Sequence, residues 1–178
     1  MSGVVSLLDP LHTRQVEDLW AELARDVGWR GVYGAPYPHF SYHVADAYDA
    51  PRLEPLLAAF ARAAEPFDVN TSGLAIFTGP VPVLYLPVVR TAALTELHAR
   101  LWPALEPLAA GSVSYYAPSA WLPHITLGFG DVTALSLAEA VRRLGESPFD
   151  WKIRIDNVAL MEAVEGVQRV RWRFTLGA

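Results

Sequence analysis

Apolar residues along the chain recur with two periods, and each change of period marks a predicted element. Over residues 11–27, Val16, Leu19, Trp20, Leu23 and Val27 fall on one side of a helix. Residues 3–8 read as a strand before it. The same reading predicts a helix over 51–64, with Pro51 in its first turn after Asp49, a cap arrangement that suits the fixed φ of proline. A third helix is predicted over 92–109, where Pro103 and Pro107 should kink or shorten it, and a fourth over 135–146 with Leu135, Ala138, Val141 and Leu144 inward. Strands are predicted over 67–78, 83–90, 149–163 and 167–176, the last two joined by a turn at Glu165-Gly166. Loops rich in Gly, Tyr, Ser and Pro, at 31–38 and 111–123, each lead into one further strand. The order strand, helix, loop, strand, helix, strand is thus met twice, in halves of about 1–80 and 81–178, although no residue-level repeat beyond one short motif accompanies it. No linker is long enough to separate independent domains, so the chain is expected to be one domain whose halves form two lobes.

The two strands that follow the loops carry that motif. Pro38-His-Phe-Ser-Tyr-His-Val44 and Pro123-His-Ile-Thr-Leu-Gly-Phe129 both alternate. Because successive side chains of a strand point to opposite faces, His39 and Ser41 share one face, as do His124 and Thr126, while Phe40 and Ile125 point into a core. Strict alternation also puts His43 and Gly128 on the histidine faces. If the strands lie side by side, one pocket holds two imidazoles for proton transfer and two hydroxyls for an oxyanion, an arrangement suited to phosphate chemistry. Tyr33, Tyr37, Tyr115, Tyr116 and Trp121, from the preceding loops, are candidates to cap the pocket or stack on a base, or else packing anchors, and His43 is either a third pocket residue or a partly buried structural histidine.

Composition narrows the partners. At 178 residues and 52% hydrophobic, the chain has enough apolar surface to fold alone. It lacks cysteine, which excludes disulfides, thiolate metal sites and a cysteine nucleophile. No run approaches the roughly 20 apolar residues needed to span a bilayer, and the N-terminus does not read as a signal sequence, so a soluble, cytoplasmic protein without membrane partners is expected. The formal charge of −5 argues against an extended nucleic-acid surface, since such surfaces work through many Lys and Arg contacts. Arg169, Arg171 and Arg173 alternate on a late strand; they read as a solvated edge more readily than as a phosphate site.

A metal centre built on His39, His43 and His124 is a rival reading. A separation of four residues brings ligands together on a helix but leaves them roughly 13 Å apart on a strand, which weighs against it. The expected metal and cofactor complement is therefore none.

The paired motifs, His39-Phe-Ser41 and His124-Ile-Thr126, resemble those of the two-histidine phosphoesterases, the group of bacterial 2'-5' RNA ligase-like proteins and cyclic nucleotide phosphodiesterases. The resemblance runs over nearly the whole chain. It implies an α+β, bilobal fold: two pseudo-symmetric lobes of antiparallel strands, flanked by helices and free to exchange strands, around a central cleft. It also implies a metal-independent opening of a 2',3'-cyclic phosphate or a related 2'-5' phosphodiester, with His39 and His124 as catalytic acid and base and Ser41 and Thr126 holding the phosphate. A small nucleotide or an RNA end is the implied substrate and a monomer the expected state; a non-catalytic nucleotide-binding module of the same fold is the alternative. Two departures stand out. Ser41 occupies a position where threonine is commoner, and Gly128-Phe-Gly130 follows the second motif where many RNA-ligase-like members have an arginine.

Overall fold

The computed structural model describes residues 1–178. In chain order the elements are β1 (Ser2–Leu7), α1 (Pro10–Asp26), β2 (His39–Ala45), β3 (Ala47–Tyr48), α2 (Ala50–Ala63), β4 (Phe67–Asn70), β5 (Ala75–Phe77), β6 (Val83–Pro87), α3 (Ala92–Leu105), β7 (Ala109–Ala110), β8 (His124–Gly128), α4 (Ala134–Leu144), β9 (Lys152–Ile155), β10 (Asn157–Val164) and β11 (Val167–Thr175). Their boundaries follow local chemistry. Asp9 caps α1 by accepting from the His12 N–H, Thr91 caps α3, and Thr133 with Ser136 forms a reciprocal cap on α4. α3 ends at Leu105, and Glu106–Leu108 tighten into a 3-10 turn around Pro107. No helix is long and apolar enough to cross a membrane.

The strands form antiparallel sheets in which the two halves of the chain exchange partners. The two larger sheets run β11-β10-β1-β2 and β5-β6-β8, and β4 with β9 and β3 with β7 form separate two-stranded pairs. In each larger sheet the first strand of one half is flanked on one side by its own histidine strand and on the other by a strand from the opposite half: β10 beside β1, β5 beside β6. One apolar cluster of 33 residues runs through both sheets, including Val4, Phe40, Leu84 and Ile125. Several sequence expectations are corrected here. The predicted strand over 67–78 is two strands that join different sheets, and that over 149–163 is likewise two. α4 packs Leu137, Ala140, Val141 and Leu144 inward, the i, i+3, i+4, i+7 set, with Ala140 and Leu144 fully buried, whereas Leu135, 87% exposed, and Ala138, both expected inward, face solvent.

A further correction bears on the site. β2 and β8 each carry a β-bulge at the same place, one residue past the hydroxyl. In β2, Ser41 pairs with Val5 and His43 with Val4, leaving Tyr42 as the extra residue. In β8, Thr126 pairs with Tyr85 and Gly128 with Leu84, leaving Leu127. An extra residue reverses the parity of everything after it. His43 and Gly128 therefore turn into the core, and both strands read half-buried, buried, half-buried, buried, buried from the histidine onward. Val44 and Phe129, one residue further, come round to the histidine face.

Gly128 illustrates how tightly the core closes on this turn: a Cβ there would overlap the six-membered part of the Trp29 indole. We expect Gly128→Ala to destabilise the fold by about 1–3 kcal/mol through overpacking, measured as a lower urea midpoint with an unchanged slope. An unchanged midpoint would mean that Trp29 can move aside freely.

Candidate active site

β2 and β8 lie next to one another, so the two motifs open onto one cleft of about 890 Å³. His39, Ser41, His124 and Thr126 all line it. Each imidazole is fixed in the same way. The His39 Nδ1–H donates to the carbonyl of Tyr37 at 2.5 Å, and the His124 Nδ1–H to that of Leu122 at 2.7 Å. A carbonyl only accepts, so each Nδ1 carries the proton and Nε2 is left as the free nitrogen of the neutral ring. The prolines at 38 and 123 hold the chain extended just before each histidine, which places the carbonyl two residues back within reach.

Both histidines are held below the usual imidazole range. Burial is the main cause at each; the carbonyl acceptors work the other way, and at His39 the proximity of His124 lowers the pKa further. The two rings thus sense each other electrostatically, and protonating one disfavours protonating the other. His124 stands between aromatic rings, edge-on to Phe77 at 4.9 Å and 5.1 Å from Tyr85, which themselves stack at 4.1 Å.

Behind the motifs, each half of the chain braces the strand of the other. Trp20, from α1, donates its indole N–H to the Thr126 carbonyl at 2.9 Å, and Trp121, just before β8, donates to the Ser41 carbonyl at 2.8 Å. These are the carbonyls beside the two bulges, where the regular ladder is interrupted and a part-buried acceptor needs another donor. Trp121 is itself sandwiched, with His98 stacked on it at 3.8 Å, and the His98 Nε2–H donates to the Tyr42 carbonyl at 3.0 Å.

The remaining sequence candidates separate into two groups. Tyr115 and Tyr116 line the cleft; Tyr115 is 79% exposed at its mouth, and Tyr116 lies beside Ser41, burial raising its phenol pKa and Ser41 opposing. The others lie elsewhere. Tyr33 packs edge-on against Trp20, Tyr37 contributes its carbonyl to His39 while its ring covers Val5, Ala159 and Met161, and Trp121 is wholly buried. His43 is fully buried against Trp102, with Nδ1 2.6 Å from the Tyr48 hydroxyl, and is lowered to about 4 because burial outweighs the attraction of Glu106. It cannot join His39 and His124 around a metal, and no three His, Asp or Glu side chains converge anywhere in the chain. Arg171 and Arg173 pair with Glu162 and Asp156 on the outer edge of β11. Sequence reasoning missed Trp20, Val44, Phe77 and Phe129 as cleft residues; only the bulges reveal Val44 and Phe129, and only the exchange of β5 reveals Phe77.

The family model described as "2'-5' RNA ligase superfamily" matches residues 8–166. The chain therefore belongs to the 2'-5' RNA ligase superfamily, within the two-histidine phosphoesterases, and is a protein of phosphoesterase type. Among solved structures it is similar to TT0787 of Thermus thermophilus, with a TM-score of 0.66 and 18% identity over 100% of this chain and 99% of that one. It is also similar to a structure described as a phosphoesterase, with a TM-score of 0.57 and 18% identity over 98% and 97% of the two chains. These likenesses establish the fold. No curated protein matches the chain in sequence.

Two measurements address the bracing and the buried histidines. Trp20→Phe and Trp121→Phe keep a ring but strand a part-buried carbonyl, and each is expected to lower stability by about 1–3 kcal/mol in urea unfolding; a loss below about 0.5 kcal/mol would show that the N–H is dispensable. The neutral form of His43 is favoured only in the folded chain, while in the unfolded chain it titrates at about 6.5. As pH falls from 6.5 towards 4 the unfolded state therefore takes up the proton first, and stability drops through that window, by up to about 3 kcal/mol for this group alone. His39, His98 and His124 shift in the same direction. Thermal melts from pH 7 to 4.5 should show His43→Gln with a shallower decline than the parent, and parallel slopes would remove His43 from the account.

Proposed function

We propose that the chain is a metal-independent phosphodiesterase that opens a 2',3'-cyclic phosphate, or hydrolyses a related 2'-5' phosphodiester, on a nucleotide or an RNA end. The observation that carries this reading is the presentation of two His-x-hydroxyl pairs on one cleft, both imidazoles in the same tautomer with Nε2 free. A neutral Nε2 takes a proton from water as the water oxygen forms a bond to phosphorus. The bond from phosphorus to one ribose oxygen breaks, and the second imidazole, protonated, gives its proton to that oxygen. The Ser41 and Thr126 hydroxyls donate to the non-bridging oxygens, where charge rises in the transition state. Family membership and the phosphoesterase neighbour support the reaction class. The mechanism needs one proton distributed over two imidazoles, and the proximity of His124 to His39 disfavours a second proton once the first is bound. In this reading the protein works as a monomer in the cytoplasm, on a small substrate met locally.

The test is hydrolysis of a panel of nucleoside 2',3'-cyclic phosphates, ADP-ribose cyclic phosphate and 2'-5'-linked dinucleotides in the presence of EDTA. Turnover of at least one is expected, with kcat/KM reduced at least about a hundredfold in His39→Ala and in His124→Ala. Because kcat/KM reports the free enzyme and both free histidines are lowered, its bell-shaped pH profile should centre on the acid side of about pH 6.5. Full activity in either single variant would sink the paired mechanism, and binding without turnover in the parent would favour a nucleotide-binding module.

A further inference from the structure

The cleft has an unusual charge balance for a site that receives phosphate. Of its 26 lining residues none is Lys, Arg, Asp or Glu, and 15 are hydrophobic. Ten of the fourteen basic side chains are engaged elsewhere, and the other four, Arg14, Arg30, Arg62 and Arg169, are not among the lining residues. Arg25 and Arg143 pair with Asp26, Arg142 with Glu139, Lys152 and Arg154 with Asp68, Arg52 with Asp49, and the β11 pairs have been described. Arg90 donates to the carbonyls of Trp121 and Pro118, and Arg100 lies over Phe60. The ionisable side chains of the cleft are the two histidines, Tyr115 and Tyr116, so the side-chain cation available to a ligand is a single shared imidazolium; Met1, which also lines the cleft, adds its terminal amino group.

The mouth of the cleft is apolar as well. Leu122 and Phe129, 56% and 52% exposed, stand there with Tyr115. Exposed apolar side chains gathered around a concave site mark a surface that meets an apolar or aromatic ligand body. Phosphates, by contrast, need cations or many donors when they leave water, and a buried charge without a partner is costly.

Resting on the phosphodiesterase reading above, we infer that the cleft selects substrates by charge: it accepts a cyclic phosphodiester bearing one negative charge on an uncharged, ring-containing body, and discriminates against the same cyclic phosphate carrying further phosphates. One anion then faces one imidazolium, and the body lies against Leu122, Phe129 and Tyr115. The reaction itself changes the balance. A cyclic diester has one negative charge, but the monoester formed by adding water has a second ionisation with a pKa near 6 and approaches two at neutral pH. The same uncharged walls therefore hold the product more weakly than the substrate and favour its release. This departs from what a polynucleotide-end enzyme requires, since flanking phosphates on an RNA would find no cations here.

The test compares adenosine 2',3'-cyclic phosphate with its 5'-phosphorylated form and with an oligoribonucleotide ending in a 2',3'-cyclic phosphate. For each, kcat/KM is measured with the parent, and Kd by calorimetry with His124→Ala, so that recognition is read whether or not turnover occurs. The expected result is at least a tenfold preference for the singly charged nucleotide in either readout. Little dependence of its kcat/KM on salt between 20 and 300 mM should accompany this, together with inhibition by adenosine 2'- and 3'-monophosphates only well above KM. Leu122→Arg, which places one cation at the mouth, should narrow the preference several-fold. Equal or better use of the 5'-phosphorylated or oligonucleotide substrate, or binding of none of the three, overturns the inference. Binding with the expected preference but no hydrolysis by the parent supports it while removing the phosphodiesterase reading.

Discussion

The architecture depends on two indole N–H groups that cross between the halves of the chain. A bulge one residue past each motif hydroxyl interrupts the ladder, and the carbonyl beside it accepts from a tryptophan of the opposite half: Ser41 from Trp121, Thr126 from Trp20. Without a donor these part-buried carbonyls would carry some of the penalty of an unsatisfied polar group, and the bulges would be pushed back towards regular pairing. Regular pairing would turn His43 and Gly128 towards the cleft and remove Val44 and Phe129 from it. The position of the histidine pairs and the identity of the cleft walls therefore rest on the same two hydrogen bonds.

Other contacts repeat this reciprocity. β10 and β11 complete the sheet of β1 and β2, β5 completes that of β6 and β8, and β4 pairs with β9. The loop before β2 is seated on the end of β8, where the Asp131 carboxylate accepts the N–H groups of Arg30 and Gly31 and the Phe129 carbonyl lies where a Gly31 side chain would be. A strain that separated the histidine strands would have to break strand pairs, indole bonds and this loop contact together. A two-lobed molecule joined only by a linker would leave the distance between its imidazoles free; here it is part of the core.

The sequence made some of this legible and concealed the rest for definite reasons. Helix faces and strand alternation depend on near neighbours, so four helices, most strands and both His-x-hydroxyl pairs could be read directly. Where a strand goes depends on distant partners, which is why 67–78 read as one strand although β4 and β5 serve different sheets. An extra residue in a strand leaves no trace in a period-2 pattern, so strict alternation puts His43 on the histidine face, whereas it lies in the core under Trp102, in the structural role that is the other reading of it. Trp121 was noticed as an aromatic in a promising loop, but its use is the N–H, set by a carbonyl 80 positions away. Leu135 misled because a helix start set by the Thr133 cap leaves that position in solvent.

The proposed reaction asks two equivalent halves to perform unequal proton transfers. Both imidazoles have the same tautomer, the same kind of acceptor and the same direction of pKa shift, so the backbone does not by itself designate acid and base. The side chains around them are unequal. His124 lies against Phe77 and Tyr85, whereas the bulge on the other strand delivers Val44 and the adjacent hydroxyl, Ser41, faces Tyr116. In the proposed reaction one proton is shared by the two rings, and a modest difference in the bound substrate's position would then be enough to decide which nitrogen holds it. On that proposal an asymmetric ligand in a cleft with asymmetric walls would set the direction of the proton relay, and the symmetric frame would serve to keep both nitrogens within reach.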